Sequence, residues 1–285
     1  MAANAATDRA RWLVERRQYL GGSDVAAICG IGTYKPIDVY MEKLGLKKDD
    51  GSTNGIAQFG LDFEPILFDK YAQMTGAKLR RCGVVRHKKY RFLAGNPDRM
   101  ILNTNDLLEG KTFGFRAADE WGEPNTDQVP LKHRCQAQWY LMLTGCDVCR
   151  FIAFRRETCE YSFYAVEAHR ENQEKLLFWA IKFWENHIEK KIPPQIDSSA
   201  SYTGDLVSEH PVHKGETVLA TEAEDDLVLQ AQMQSATLKA AKDDADLTKN
   251  KIRALIGEAP SLVSIHGTVV YKQTKSGSRP LRLPK

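Results

Sequence analysis

Apolar residues fall into two rhythms along this chain, one of three to four positions and one of short β-rich runs, and the two alternate over most of its length. Ile56, Phe59, Phe63, Leu67, Tyr71 and Met74 keep the helical rhythm and predict an amphipathic helix ending at Gly76. Proline removes a helix hydrogen bond, so the helix is expected either to start near Pro65 or to kink there, with Glu64 at the irregularity. Pro130 to Gly145 reads as a second helix, with proline near its start and glycine at its end. Leu176 to Ile188, with Phe178, Trp179, Phe183 and Trp184, reads as a third. Gly21-Gly22-Ser23-Asp24 before Val25 to Cys29 reads as a glycine turn feeding a helix N-cap.

Tyr90 to Ala94, Met100 to Leu102 and Leu107 to Thr112 read as strands, the last two joined through the turn-favouring Asn103-Thr104-Asn105-Asp106. This mixture argues for one α/β unit over residues 1–195. After Pro193-Pro194 the composition changes. Residues 196–285 are expected to form a linker and an extension: a long helix from Thr221 to about Gly257, then a hairpin of Leu262 to Gln273 and Pro280 to Leu283 around a Lys-Ser-Gly-Ser turn.

With 285 residues, 42% of them apolar, the chain can bury a core, which excludes a disordered or fibrous protein. Forty basic against 37 acidic residues leave +3, compatible with a polyanion partner without identifying one. No run reaches the roughly 18 apolar residues of a membrane span, and the opening residues lack a signal-peptide layout. A soluble cytoplasmic protein is expected. Six cysteines are too sparse for a disulfide scaffold, so reduced thiols are the default. Cys146-x-x-Cys149 has no second pair or spaced histidines to complete a zinc site and reads as buried structural thiols. His210 and His213 are expected to face solvent. Trp12, Leu13, Trp139, Trp179 and Trp184 read as core or interface. The basic runs Lys78 to Arg81 and Arg86 to Lys89 suit either DNA phosphates or solvent.

The chemistry is concentrated in the predicted hairpin. Side chains alternate along a strand, so Glu109 and Lys111 share a face that Gly110 does not. A turn centred on Thr104 and Asn105 places Asp98 across from Lys111, with Cβ atoms roughly 5 Å apart. Two carboxylates and a lysine on one sheet face are what metal-assisted phosphodiester hydrolysis requires: hard oxygen ligands for Mg²⁺ or Mn²⁺, and a cation beside the developing negative charge. Lys111 would position the water or deprotonate it. The second role requires its pKa to fall from about 10.4. Spacing alone fits a surface hairpin with an ordinary ion pair better than a catalytic site.

Asn96-Pro97-Asp98 followed by Leu107-Leu108-Glu109-Gly110-Lys111-Thr112 resembles the PD-(D/E)xK nuclease signature. Gly21-Gly22-Ser23-Asp24, Gly60-Leu-Asp-Phe-Glu64-Pro65 and Gln136-Ala-Gln138 resemble its branch of lambda-type phage exonucleases, the YqaJ viral recombinase family. The chain departs from the pattern at Asn96, where a small residue is usual, at Arg99, where glycine is frequent, and at Gly110, where an apolar residue is normal. The side of the strand holding Gly110 is therefore expected to pack less well.

The resemblance implies a restriction-endonuclease-like core, a central mixed sheet flanked by helices. It implies a Mg²⁺-dependent enzyme, with Mn²⁺ as substitute, that processively degrades one strand of linear duplex DNA 5′ to 3′ to mononucleotides. The 3′ single strand left behind would pass to a single-strand annealing protein. A ring-shaped homotrimer is expected in a phage- or prophage-encoded protein of this kind. Asp98 and Glu109 would bind metal with the Leu108 carbonyl, Glu64 would complete that site, Lys111 would act on the water, and Gln136 would orient Lys111 or the water. Ser23 and Arg16 would hold a 5′-phosphate, with Arg17 as the alternative one position on. An endonuclease on the same core and a non-catalytic DNA-end scaffold are the competing readings.

Overall fold

A computed structural model describes residues 14–46, 55–199, 202–204, 219–274 and 277–284. Trp12, Leu13, His210 and His213 lie outside the described residues. The chain divides into two compact units, residues 1–212 and 213–285.

The first unit opens with helices α1 (Gly22–Ile28), α2 (Pro36–Leu44) and α3 (Gly55–Thr75). Strands β1 (Leu79–Arg81), β2 (Val85–Arg86), β3 (Ala94–Gly95), β4 (Arg99–Ile101) and β5 (Asp106–Phe113) follow. Then come α4 (Phe115–Ala118), α5 (Leu131–Thr144), β6 (Val148–Arg155), β7 (Glu160–Glu167) and α6 (Arg170–Phe183), the last widening into a π-turn over Trp184–Ile188. Five strands form a mixed sheet in the order β1-β4-β5-β6-β7. Only β5 and β6 run parallel, from Asp106↔Val148 to Phe113↔Arg155. A parallel pair needs a crossover, which the segment carrying α5 supplies.

Helices cover both faces of this sheet. Leu107, Phe151 and Ala153 face a larger core shared with Val25, Met41, Trp139 and Ala180. Leu108, Ile152 and Phe154 face a smaller one with Leu67, Phe68 and Tyr71 of α3. Expectation and structure part at several places. Helix α3 does not start near Pro65 but runs through it, which leaves the kink as the surviving expectation. Its N-terminal half is held by Phe63, stacked on Phe59 at 5.3 Å and tilted against Phe154 of β6 at 4.6 Å. Nor is the Gly110 side of β5 loosely packed. A Cβ there would lie 3.1 Å from both Leu67 Cδ1 and Phe68 Cζ, so glycine is what lets α3 press onto the sheet.

The β4–β5 hairpin pairs Arg99 with Leu108, Met100 with Leu107 and Ile101 with Asp106. Its turn is therefore centred on Asn103 and Thr104, one position earlier than expected, with Asn103 in the left-handed region at φ 64°. That shift puts Asp98 beside Glu109 rather than Lys111. Asn adopts this backbone more readily than Thr or a charged residue, which fixes the turn there. The β-prone Tyr90 to Phe92 is not a strand: the Leu93 N–H closes a turn on the Tyr90 carbonyl at 3.0 Å.

The second unit consists of α7 (Glu222–Ile256) and a hairpin of β8 (Ser261–Ser264) and β9 (Gly267–Val270). The Thr221 N–H donates to Glu224 Oε2 at 2.6 Å and starts the helix. Strands β8 and β9 close at Ile265-His266, with Gly267 at φ 115° beside that turn. The expected return of Pro280 to Leu283 is present as well, the Thr274 N–H donating to the Ser278 carbonyl at 2.8 Å. Arg282 pairs with Val270 from the tail. Arg279 donates to the Gly257 and Tyr271 carbonyls, each at 2.7 Å, tying the helix end to the hairpin. Among the described residues no helix is long and apolar enough to cross a membrane.

Candidate active site

Leu20 makes a parallel bridge with Leu93, its N–H donating to the Phe92 carbonyl at 2.8 Å and its carbonyl accepting from Ala94 N–H at 3.0 Å. Two glycine motifs far apart in sequence thereby leave one bridge side by side: Gly21-Gly22-Ser23-Asp24 and Gly95-Asn96-Pro97-Asp98. Both close on Tyr140 of α5. A Cβ on Gly22 or on Gly95 would lie 2.8 Å from its ring, so both glycines exist for that approach. Tyr140 is buried and was not among the expected site residues, although it lies one helical turn beyond Gln136, whose Nε2 donates to its hydroxyl at 3.0 Å.

Asp98, Glu109 and Lys111 meet at the start of the hairpin. The Asp98 N–H donates to Glu109 Oε1 at 3.1 Å, and the Gly110 N–H donates to Asp98 Oδ2 at 3.0 Å. Lys111 Nζ donates to Glu109 Oε2 at 3.0 Å. Glu109 is fully buried. Burial, and after it the Asp98 carboxylate, push its carboxyl up to about 7 against the pull of Lys111. Burial works against the Lys111 charge as well, but Glu109 and Asp98 outweigh it and hold the ammonium above its ordinary range. With Glu109 and Asp98 as its neighbours, Lys111 is held as a cation that can orient groups and balance negative charge at this site.

Glu64 joins this group from α3. It shares with Asp98 a recess of about 300 Å³, lined also by Arg81, Asn96 and Arg99. Burial and the Asp98 charge raise its pKa. Arg99, a departure from the family pattern, approaches Glu64 Oε1 at 3.8 Å and lies over the Phe68 ring. Leu108 is buried against α3. His133, also not foreseen, is kept well below its ordinary pKa by burial and by the charges of Lys111 and Lys132.

Ser23 and Arg16 are brought together: Arg16 Nη2 donates to Ser23 Oγ at 2.9 Å. Ser23 is exposed in a recess of about 200 Å³ with Tyr34, Lys132, His133 and Gln136. It is not the N-cap. Gly21 takes that place, and Asp24 Oδ2 accepts the Gly21 N–H at 2.8 Å, because a carboxylate three residues on reaches back better than the Ser23 hydroxyl inside the first turn. Arg16 also reaches Asp24 Oδ1 at 3.2 Å and, through Nε, Glu42 Oε1 at 2.9 Å. Lys43 Nζ lies 2.7 Å from Asp24 Oδ2, both side chains fully buried. Burial opposes ionisation of Glu42, but Lys43 and Arg16 prevail and pull it down to about 2. Arg17 points elsewhere, its guanidinium lying against Gly45 at the end of α2.

The remaining candidates take structural places. Cys146 and Cys149 are buried free thiols. Trp139 is in the core with Nε1 donating to the Ala94 carbonyl at 2.8 Å, Trp184 stacks on Phe92, and Trp179 is half-exposed. Gln138 is buried and accepts the His169 N–H at 2.8 Å, which anchors the end of β7 to α5.

Residues 11–147 match the family described as the YqaJ-like viral recombinase domain. The YqaJ protein of Bacillus subtilis is 28% identical over 204 residues, 70% of this chain, and the chain spans 63% of that relative's length. An alkaline exonuclease (LHK-Exo) from Laribacter hongkongensis superposes with a TM-score of 0.52 at 17% identity, over 63% of this chain and 93% of the other. Its complex with dAMP gives the same values. At that identity the likeness concerns the fold, which is the PD-(D/E)xK-like fold. The YqaJ-like domain ends just after α5, so it includes every candidate site residue.

Proposed function

We propose that this protein is a Mg²⁺-dependent exonuclease, with Mn²⁺ as a substitute, that degrades one strand of linear duplex DNA 5′ to 3′ and releases 5′-mononucleotides. The observation that carries the reading is the meeting of Asp98, Glu109 and Lys111 on one sheet end, with Glu64 facing Asp98 from α3. Asp98 lies between two carboxyls and raises both, a crowding of hard oxygen donors that a divalent cation relieves. Among the described residues no three His, Cys, Asp or Glu side chains are grouped so as to hold a metal ion by themselves. The reading therefore rests on Asp98 and Glu109 as a pair, since Mg²⁺ keeps several waters and takes one or two carboxylates.

Asp98 and Glu109 would hold the ion, with the Leu108 carbonyl beside them and Glu64 on the far side. When bound, the ion acidifies a water and polarises the scissile phosphate. Lys111, held as a cation, stabilises the charge developing on that phosphate and orients the water. Gln136, its Nε2 donating to the Tyr140 hydroxyl at 3.0 Å, would orient Lys111 or the water. Ser23 and Arg16 would receive the 5′-phosphate, with the Arg16 guanidinium oriented beforehand by Asp24 and Glu42. That orientation favours Arg16 over Arg17.

Duplex DNA held only by screened phosphate contacts dissociates readily at physiological salt, so processive digestion calls for enclosure. A homotrimer with three sites facing a channel meets that need. The 3′ strand would go to a single-strand annealing protein in the cytoplasm of a bacterial host. The deciding experiment incubates linear and closed-circular duplexes with Mg²⁺, with and without a 5′-phosphate. Digestion confined to linear DNA and faster with the phosphate is expected. Cutting of closed circles would indicate the endonuclease reading, and binding without hydrolysis the scaffold reading.

A further inference from the structure

Arg16 reaches Ser23 from inside a cluster whose charges already balance. Arg16 and Lys43 face Asp24 and Glu42, two cations against two carboxylates. Glu42 is pulled down to about 2 and so stays ionised near neutral pH. Arg16 can therefore donate a hydrogen bond to a ligand at Ser23, but its own acids cancel most of its long-range attraction for an anion. A terminal 5′-phosphate carries roughly two negative charges near neutral pH. A 5′-hydroxyl carries none. Telling the two ends apart by charge calls for one more cation, outside the cluster.

We infer that Lys132 of α5 is that cation and sets the preference for phosphorylated ends, an inference that rests on the nuclease reading with a 5′-phosphate at Ser23 and Arg16. Lys132 lines the recess with Ser23, Tyr34, His133 and Gln136. It stands four residues before Gln136, on the same face of the helix. Among the described residues lining the recess it alone carries a permanent charge, since His133 is kept well below its ordinary pKa. A Cβ on Gly32 would lie 3.9 Å from Lys132 Cδ. The lysine stem thus lies along the loop between α1 and α2 that also carries Tyr34. Its ammonium has a partner that it can leave. Nζ is 3.9 Å from Glu120 Oε2, with the two side chains 43% and 52% exposed, and so open a pair holds weakly. A phosphate dianion offers more charge and three acceptor oxygens, so it replaces Glu120. The neighbouring lysines are engaged elsewhere: Lys35 Nζ donates to the Gly32 carbonyl at 2.8 Å, and Lys111 is held by Glu109.

Fluorescence anisotropy of the full-length chain on labelled linear duplexes tests it, with Ca²⁺ in place of Mg²⁺ so that binding is read without cleavage. The wild-type chain is expected to bind a 5′-phosphorylated end about tenfold or more tighter than a 5′-hydroxyl end. Lys132→Met keeps the stem and removes the charge, and should cut that ratio by about fivefold or more. Lys132→Arg should retain most of it. Glu120→Gln, which releases the ammonium, should keep the ratio or raise it. A ratio unchanged by Lys132→Met overturns the proposal and leaves the nuclease reading, with Ser23 and Arg16, in place. A loss with Lys132→Arg or Glu120→Gln as large as with Lys132→Met overturns it too, because packing or the tie to Glu120 would then shape the recess. Equal binding of both ends by the wild-type chain removes the phosphate site and the proposal together. Digestion of linear DNA in Mg²⁺, measured separately, then tells whether the nuclease reading has failed as well.

Discussion

Two carboxylate clusters lie within the first unit, and they behave in opposite ways. Around Asp24 and Glu42, Arg16 and Lys43 match the two acids with two bases, and Glu42 is pulled down to about 2. Around Asp98 and Glu109, carboxylates crowd one another, and Glu109 and Glu64 are pushed up. The first cluster is a clamp that joins α1 to α2, its acids matched from within, and it also orients Arg16, the candidate for the 5′-phosphate. The second retains an unmet demand for positive charge beyond what Lys111 and Arg99 supply. Side chains of the same chemical type thus divide into scaffold and site by what surrounds them.

The sharpest break of this comparison is at the second cluster. Asp98→Ala, Glu109→Ala or Lys111→Ala should each lower hydrolysis by on the order of 10³-fold or more, as loss of a single transition-state contact does elsewhere. DNA binding measured by gel shift should persist, because phosphate contacts lie elsewhere. A variant with near-normal turnover would take its residue out of the catalytic set.

Stability should report the reverse. Lys43→Met removes the partner 2.7 Å from the buried Asp24, and stranding a buried charge in this way costs about 3 kcal/mol in urea unfolding. Lys111→Met should cost clearly less, because Glu109, already near 7, can take up a proton. Equal losses would erase the distinction between the clusters. Gly110→Ala tests the packing that supports the second cluster: with Leu67 and Phe68 both 3.1 Å from the added methyl, a loss of about 1–2 kcal/mol is expected, read as a lower melting temperature.

The smallest effect is in acid. Glu42 has a depressed pKa in the folded protein, so the unfolded chain binds more protons between about 4.5 and about 2. Its stabilising contribution is complete above the upper value and is lost as pH falls through the lower one. Glu42→Gln should therefore flatten the fall of the melting temperature between pH 5 and 3 while changing the neutral-pH limb less. An unchanged acid limb would mean that Glu42 is not held by Arg16 and Lys43.

Much of this was legible in the chain. The helical rhythm located α3, the proline and glycine at its ends located α5, and composition located α7, while the alternation along Leu108-Glu109-Gly110-Lys111 put Glu109 and Lys111 on one face. These are consequences of local geometry, fixed by the 3.6- and 2-residue periods whatever the rest of the molecule does. What failed depends on competition. Thr104-Asn105 and Asn103-Thr104 are both acceptable turns, and the left-handed backbone at Asn103 decided between them. Ser23 and Asp24 both cap helices well, and which one does so depends on where α1 begins.

By itself, then, the sequence determined which side chains can do chemistry and which neighbours share a face, since both follow from short-range stereochemistry. Only the tertiary structure decided that Leu20 would pair with Leu93, that Gly22 and Gly95 would close on Tyr140, and that Glu109 rather than Glu42 would be the strained acid. Those outcomes depend on burial and on charges brought together from distant segments, and desolvation has no value until the surroundings that exclude water are in place.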